Sequence, residues 1–162
     1  MAAGQGCVSF IHASALVVRE TGVLIRGASG AGKSALALAL LETCGQRGCF
    51  GALLGDDRIG LKMAGGRLVA EGHPAVRGLI ERRGTGIEPA SHEAMALIGL
   101  VVDLVAAPHG GRLPEPSALV VELETVLLAR MECGSSMDLS QKISAVWSRI
   151  VRIERQGMTG AI

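Results

Sequence analysis

An eight-residue segment in the first quarter of the chain has the composition of a phosphate-binding loop. Residues 27–34 read Gly-Ala-Ser-Gly-Ala-Gly-Lys-Ser and fill every fixed position of the pattern G-x-x-x-x-G-K-[ST]. Glycines let successive backbone N–H groups point at phosphate oxygens, the lysine adds a positive charge for the terminal phosphates, and the final hydroxyl can bind Mg²⁺. The predicted nucleotide-binding residues are Gly27, Ala28, Ser29, Gly30, Ala31, Gly32, Lys33 and Ser34. The segment predicts binding of a nucleoside triphosphate with Mg²⁺.

Carboxylates that could complete such a site follow two other apolar segments. A phosphoryl-transfer enzyme needs one carboxylate for Mg²⁺ and usually another to position or deprotonate the attacking group. Asp56 and Asp57 end the segment 52–57, and Asp103 follows the apolar run 98–102. An acidic turn explains the pair Asp56-Asp57 equally well, and a structural role is favoured for Asp103. The four histidines show no metal-binding spacing, so histidine ligation of a metal is not predicted.

The elements predicted around the loop are suited to positioning it. A short buried strand at 23–26 leads into the loop, and a helix over 34–42 directs its positive N-terminus at the phosphates. The capping pattern of Asp138 and Gln141 begins a final amphipathic helix. Further predictions are a break at 44–49, a helical turn from Pro74 and a helix start at His92-Glu93. The other predicted strands are 8–11, 16–19, 52–54, 59–62, 67–70, 96–105 and 119–124. Hairpins mixed with helices favour an α/β fold with a mixed β-sheet.

The bulk composition limits the possible classes of protein. The 162 residues are most simply one domain, covering 1–162. The formal net charge is +1 and aromatic residues make up 2% of the chain, which argues against nucleic-acid binding. No signal peptide or membrane-spanning segment is predicted, and the cysteine spacing favours free thiols in a reducing cytoplasm. The mean hydropathy of +0.41 favours apolar surface shared between subunits, although a core rich in glycine, alanine and leucine would give the same value.

These motifs together resemble the bacterial HPr kinase/phosphorylase family, specifically its C-terminal catalytic domain. The likeness begins with His12-Ala13-Ser14, continues through 27–34 and includes Leu54-Gly55-Asp56-Asp57-Arg58. Its most specific part is 77–87, Arg-Gly-Leu-Ile-Glu-Arg-Arg-Gly-Thr-Gly-Ile, which is similar to a family signature of approximately R-G-L-I-E-x-R-G-x-G-I. The resemblance covers most of the chain, from about Phe10 to the final helix.

The resemblance implies specific roles for residues of this chain. Glu81 would join Ser34 in binding Mg²⁺, and His12 would be the catalytic-site histidine. The base would be one of the pair Asp56-Asp57, with Asp57 favoured, and Arg112 would be a further catalytic arginine. The implied fold is a P-loop-containing mixed sheet with flanking helices, like the HPr kinase C-terminal domain and phosphoenolpyruvate carboxykinase. The implied activity is ATP-dependent phosphorylation of a serine of the phosphocarrier protein HPr by a cytoplasmic hexamer, with a regulatory role in a sugar or nitrogen phosphotransferase system.

Departures from the family pattern keep other activities open. The N-terminal domain of the longer members is not seen, the segment before Asp56 is longer, and the late segment linked with dephosphorylation is not recognisable, 126–131 being its nearest counterpart. Kinase activity is therefore better supported than phosphorylase activity. The alternatives are a small-molecule kinase of the shikimate or nucleoside type, and a nucleotide-sensing regulator without turnover. GTPases and transporter ATPases are disfavoured because neither N-K-x-D nor L-S-G-G-Q occurs.

Overall fold

The computed structural model describes residues 8–109 and 116–157, in which the chain forms eleven β-strands and two α-helices. The strands are β1 (Ser9–Ile11), β2 (Ala13–Val18), β3 (Thr21–Gly27), β4 (Gly51–Gly55), β5 (Ile59–Ala64), β6 (Arg67–Gly72), β7 (Leu79–Arg82), β8 (Gly86–Pro89), β9 (Met95–Val105), β10 (Val120–Leu123) and β11 (Val126–Gly134). The helices are α1 (Lys33–Gln46) and α2 (Leu139–Gly157).

Nine of the strands form one curled, mixed sheet, and β7 pairs with β8 in a separate hairpin. The main path runs β1-β5-β6-β9-β3-β2-β4, with β11 also paired to β9 and β10 paired to β11. Only the pairs β3–β9 and β9–β11 are parallel among the described strands. The long strand β9 therefore joins the strands β1, β5 and β6 to the strands β3, β2 and β4. The predicted mixed sheet with flanking helices is confirmed.

Two apolar clusters lie on the two faces of this sheet. One cluster packs α1 and α2 against the sheet and includes Leu36, Leu40 and Trp147. The other lies inside the curl and includes Leu24, Ile59 and Leu68, all fully buried. The curl brings β4 against β6, and a Cβ added at Gly72 would lie 1.9 Å from the Leu54 carbonyl oxygen. Glycine at this position is therefore required by the close approach of the two strands.

The two helices differ in how their sequences specify them. Helix α1 is rich in leucine and alanine, which are strong helix formers, and buries a broad face. Helix α2 is amphipathic and begins with the predicted capping box: the Gln141 N–H donates to Asp138 Oδ1 at 2.8 Å, and the Asp138 N–H donates to Gln141 Oε1 at 2.9 Å. Neither helix, among the described residues, combines the length and apolar character that crossing a membrane requires.

The predicted break at 44–49 is wrong in its first residues, because α1 continues to Gln46. Gly45 is accommodated in the last turn, and the helix ends where Gly48 takes the left-handed φ of +65°. The Cys49 N–H then donates to the Cys44 carbonyl at 3.0 Å. The chain therefore leaves the helix one turn later than its first glycine indicates.

Near the middle and end of the chain, one prediction is wrong and two elements were not predicted. The helical turn predicted from Pro74 is confirmed as Pro74–Val76, but the hairpin β7–β8 that follows it was not predicted. His92-Glu93 does not start a helix: the Glu93 N–H donates to the Leu53 carbonyl at 2.9 Å, so the segment pairs with β4. Strand β11 was not predicted, because its sequence mixes apolar and charged residues without strict alternation.

Candidate active site

A cleft of roughly 600 Å³ opens beside the segment 27–34 and collects side chains from distant parts of the chain. Its lining includes His12 between β1 and β2, Lys33 and Ser34 at the start of α1, Asp57 after β4, and Glu81 on β7. These five residues, together with Ser29, Gly30 and Gly32, face one space, although up to 69 positions separate them along the chain.

The segment 27–32 has the backbone conformation that its glycines allow. Gly30 has φ +77° and Gly32 has φ +96°, both in the region that L-residues avoid. A Cβ at either position would meet no atom within 4 Å, so glycine is needed for the backbone angle and not for space. Helix α1 begins directly after this turn at Lys33, and its first N–H groups have no partner within the helix. This arrangement fits an anionic ligand at the helix N-terminus.

Lys33 is nearly buried, with 5% of its surface exposed. Its ammonium Nζ donates to the carbonyl oxygens of Gly27 at 3.1 Å and Ala28 at 3.0 Å. A lysine ammonium has three N–H donors, so one remains for a ligand in the cleft that Lys33 lines. The two carbonyls thus fix the position of the charge above the loop.

Asp56 lies behind the cleft and holds the side chain of Ser34. The Ser34 hydroxyl lies 2.8 Å from Asp56 Oδ2 and 3.0 Å from Asp56 Oδ1 and donates to this carboxylate. The Ser14 hydroxyl on β2 donates to the same carboxylate, which is 9% exposed. Because α1, β2 and the end of β4 meet here, Asp56 orients the hydroxyl predicted to bind Mg²⁺. The sequence alone assigned no role to Ser14. The signal that could have identified it is a hydroxyl in an otherwise apolar buried strand.

Asp57 points in a different direction from its neighbour and faces the cleft. Its φ is +65°, an angle that aspartate tolerates better than most residues. The carboxylate Oδ1 is 3.9 Å from His12 Nδ1, and both side chains are more than half exposed. The turn after β4 therefore separates a buried acid from an accessible acid that lies beside a histidine.

Glu81 reaches the cleft from the hairpin β7–β8, which contains residues 79–87 of the segment 77–87. Its neighbour Ile80 is 1% exposed and belongs to the cluster that packs against α1. The hydroxyl of Ser34 and the carboxylates of Asp56, Asp57 and Glu81 are all oxygen donors, which suits Mg²⁺. In the part of the chain that the structure describes, no three His, Cys, Asp or Glu side chains stand close enough to hold a metal ion by themselves. This donor set fits an ion that keeps waters and binds substrate phosphates.

Asp103 does not line the cleft, and its carboxylate is held by two arginines. Arg26 on β3 donates from Nε to Oδ1 at 2.7 Å and from Nη2 to Oδ2 at 2.8 Å, and Arg130 on β11 donates from Nε at 2.6 Å. Burial raises the pKa of Asp103, but the hydrogen bonds from Arg26 and Arg130 outweigh it and bring the pKa below its ordinary value. Asp103 joins β3, β9 and β11, in agreement with the structural role favoured for it. Arg112, the remaining predicted catalytic residue, lies outside the described residues.

About half of the chain is similar in sequence to known proteins. The model of the family described as "HPr Serine kinase C-terminal domain" matches residues 7–93, more than half of the chain. The HPr kinase/phosphorylase of Mycoplasma mycoides subsp. mycoides SC is 42% identical over 76 residues, which are 47% of this chain and 22% of that protein. The chain thus spans about a fifth of the length of this curated relative.

A solved structure extends the similarity of the fold to nearly all of the chain. The structure of the Hpr(Ser) kinase/phosphatase from Coxiella burnetii superimposes with a TM-score of 0.69 and 24% identity, covering 94% of this chain and 99% of that one. At this identity the match shows the fold alone.

Proposed function

The chain belongs to the family of HPr serine kinase C-terminal domains, and we propose that it transfers the γ-phosphate of ATP to a serine of the phosphocarrier protein HPr. The observation that carries the proposal is the presence of Lys33, Ser34, His12, Asp57 and Glu81 around one cleft. A nucleotide-binding protein without catalytic function needs the first two of these, but not an accessible acid beside a histidine. The name of the Mycoplasma relative, a kinase/phosphorylase, supports the same activity.

The phosphates of ATP would lie against the N-terminus of α1, where the backbone N–H groups are free of helical partners. The Lys33 ammonium, held by two carbonyls, would neutralise charge on the β- and γ-phosphates. Mg²⁺, held by Ser34 and Glu81, would supply further charge stabilisation when bound.

Asp57 is the base in this mechanism. As the serine oxygen of the substrate forms its bond to the γ-phosphorus, Asp57 accepts the hydroxyl proton and the bond to the β,γ-bridging oxygen breaks, releasing ADP. Its exposed carboxylate can reach a substrate in the cleft, whereas that of Asp56 is occupied by Ser14 and Ser34. His12, beside Asp57, would stabilise charge on the transferring group. Arg112 is included as a second stabilising cation on the resemblance alone.

The remaining parts of the proposal concern the reverse reaction and the setting. Inorganic phosphate attacking phosphoserine would give pyrophosphate and serine, with the same acid returning the proton to the serine oxygen. The activity would regulate a phosphotransferase system in the cytoplasm.

We also propose that the chain forms a homo-oligomer, a hexamer by family resemblance. Exposed apolar side chains such as Leu127, which is 68% exposed, support this proposal. A molar mass equal to that of the single chain, measured by light scattering, would contradict the homo-oligomer.

The proposed function is tested with the purified chain, ATP, Mg²⁺ and HPr, with intact mass as the measurement. We expect HPr to gain one phosphate on a serine. Asp57→Asn is expected to slow the transfer by about 10² to 10⁴, the usual range for loss of a general base. Lys33→Ala is expected to weaken ATP binding as well. Glu122→Gln, an exposed carboxylate on β10 outside the cleft, is the matched control.

The alternatives give different results in the same experiment. Transfer to a metabolite but not to HPr would identify a small-molecule kinase. Nucleotide binding without any transfer would identify a sensing regulator. Either result would overturn the proposal, as would an Asp57→Asn variant with the wild-type rate. Phospho-HPr incubated with inorganic phosphate, with pyrophosphate as the readout, tests the reverse reaction separately.

A further inference from the structure

Arg82 links the hairpin β7–β8 to α1 through two carboxylates. Its Nη2 donates to Glu42 Oε1 on α1 at 2.7 Å, and its Nε donates to Glu88 Oε2 on β8 at 3.0 Å. Glu88 is held in turn by the Thr85 hydroxyl at 2.7 Å. One guanidinium therefore ties together both strands of the hairpin and the helix that carries Ser34.

The hairpin has few other attachments that would fix its position over the cleft. A two-stranded hairpin is marginally stable by itself and depends on packing against the rest of the protein. Ile80 is the only fully buried side chain of β7 and β8, while Leu79 and Ile87 are 38% and 71% exposed. Ile80 and the hydrogen bonds of Ser91 and Glu93 to Leu53 fix the base of the hairpin, but the strands beyond that base keep freedom to tilt. The ion pairs of Arg82 remove this freedom.

Glu81 lies between the apolar anchor Ile80 and the charged link Arg82. Successive side chains of a strand point to opposite faces, so Glu81 points away from the side on which Ile80 is buried against α1. Glu81 and Arg82 both line the cleft, and the Arg82 guanidinium is held there by Glu42 and Glu88. The separation of Glu81 from Ser34 depends on how the hairpin is seated on α1. The sequence signature of the family leaves the position of Arg82 open, so the resemblance assigns it no role.

We propose that Arg82 is a positioning residue that holds the Glu81 carboxylate in place for Mg²⁺ by clamping the hairpin to Glu42 and Glu88. This inference rests on the proposed function, because it takes Glu81 as a ligand of the Mg²⁺ bound with ATP. Arg82 lines the cleft, but its guanidinium is engaged by Glu42 and Glu88, so it acts through the position of Glu81. Lysine cannot replace it fully, because a single ammonium lacks the planar fork of donors that reaches two carboxylates.

The first test uses the chain without any ligand. Arg82→Met keeps the apolar stem and removes the guanidinium. We expect faster amide hydrogen exchange in residues 79–89, while exchange in β3 and β9 stays at the wild-type rate. Arg67→Met, an exposed arginine at the start of β6, is the matched control and should leave the hairpin unchanged. Equal exchange in the wild type and Arg82→Met would overturn the clamp.

The second test measures how much Mg²⁺ is needed for nucleotide binding, with a fluorescent ATP analogue. We expect Arg82→Met to raise the half-saturating Mg²⁺ concentration about tenfold, a typical effect of losing an outer partner of a metal ligand. Affinity for the analogue in EDTA should not change. In a Glu81→Gln background Arg82→Met should have no further effect, because the clamp acts through the Glu81 carboxylate.

Two outcomes of the second test would contradict the inference. Weaker binding of the analogue in EDTA, or an effect of Arg82→Met that persists in Glu81→Gln, would show that Arg82 contacts the nucleotide directly. Failure of the proposed function is distinguishable: a chain that binds Mg²⁺ and nucleotide but leaves HPr unmodified overturns that function and leaves the clamp intact. A wild-type chain that binds no nucleotide with Mg²⁺ would overturn both.

Discussion

Asp56 and Asp57 are consecutive, yet the turn after β4 gives them separate environments. Asp56 is buried and accepts hydrogen bonds from Ser14 and Ser34, while Asp57, at φ +65°, opens to the cleft beside His12. Adjacent side chains on a regular strand also point to opposite faces. Here the turn after β4 directs the second of the two side chains, that of Asp57, into the cleft. Two adjacent acidic residues in a sequence therefore predict a site, but they do not show which of the two faces the cleft. The assignment comes from hydroxyl partners that lie 42 and 22 positions away.

Asp103 is the residue through which acid is expected to weaken the fold. Its pKa is lowered in the folded chain, since the hydrogen bonds from Arg26 and Arg130 outweigh burial. The stabilising contribution is present above the unfolded value near 4 and is lost as the pH falls through the lower folded value. Asp103→Asn should lower the free energy of unfolding at pH 7 by about 2 kcal/mol, because two partly buried guanidinium groups lose their carboxylate.

Urea unfolding of Asp103→Asn at pH 7, 5, 4 and 3 checks both parts of this prediction. The wild type should lose stability more steeply than the variant below about pH 5. Glu122→Gln serves as the control for a carboxylate on an exposed position. Parallel pH curves for the wild type and Asp103→Asn would show that the ion pairs do not differ between the folded and unfolded states.

At the scale of elements, the crossing of β4 and β6 couples the curl of the sheet to the site. Gly72→Ala would place a Cβ 1.9 Å from the Leu54 carbonyl oxygen, so the strands must separate. Overpacking of this kind costs about 1–3 kcal/mol. Since Leu54 lies two residues before Asp56, the displacement should also disturb the contact between Asp56 and Ser34.

Thermal unfolding measures how much stability Gly72→Ala costs, in comparison with the same substitution at a glycine that has open space around it. For a chain of this size, each kcal/mol corresponds to about 2–4 °C in Tm. Gly45→Ala is the matched control: it lies inside α1 and an added Cβ meets no atom within 4 Å, so the variant should be as stable as the wild type or more stable. A Tm for Gly72→Ala equal to that of the wild type would contradict the close approach.

The accuracy of the sequence interpretation followed how local each signal is. The strand entering the loop, the loop helix and the capping box of α2 depend on neighbouring residues, and all are confirmed. The hairpin β7–β8 depends on the burial of Ile80 against α1, and the pairing of His92 depends on β4. Residues 77–87 identified the family, but neither their hairpin conformation nor the link from Arg82 to Glu42 follows from that pattern. Contacts between distant segments carry no local periodicity.

Over the whole molecule, β9 holds together strands that are far apart in the sequence. It pairs with β3, which leads to the glycine-rich segment 27–32, and with β6 and β11. The apolar cluster that covers one face of the sheet includes residues of α1, α2, β9 and β11. Opening this cluster at one element should therefore require the others to separate too, and the chain is expected to unfold cooperatively.

Two buried thiols in that cluster report on this cooperativity. Burial, and then the hydrogen bond with Cys49, raise the pKa of Cys44 to about 11, and burial raises the pKa of Cys133. Thiolate is the reactive form, so at pH 8 only about one Cys44 in a thousand is ready to react even when reached by a reagent.

Cys44 lies on α1 and Cys133 on β11, and both are nearly or fully shielded from solvent. Among the three cysteines that the structure describes, we expect iodoacetamide to modify the partly exposed Cys49 first and to spare Cys44 and Cys133 in the native chain. With increasing urea, Cys44 and Cys133 should become reactive together at the midpoint of the circular-dichroism transition, as followed by peptide mass spectrometry. Reaction of Cys44 at a lower urea concentration than Cys133 would mean that α1, with the glycine-rich segment at its start, opens independently of the sheet.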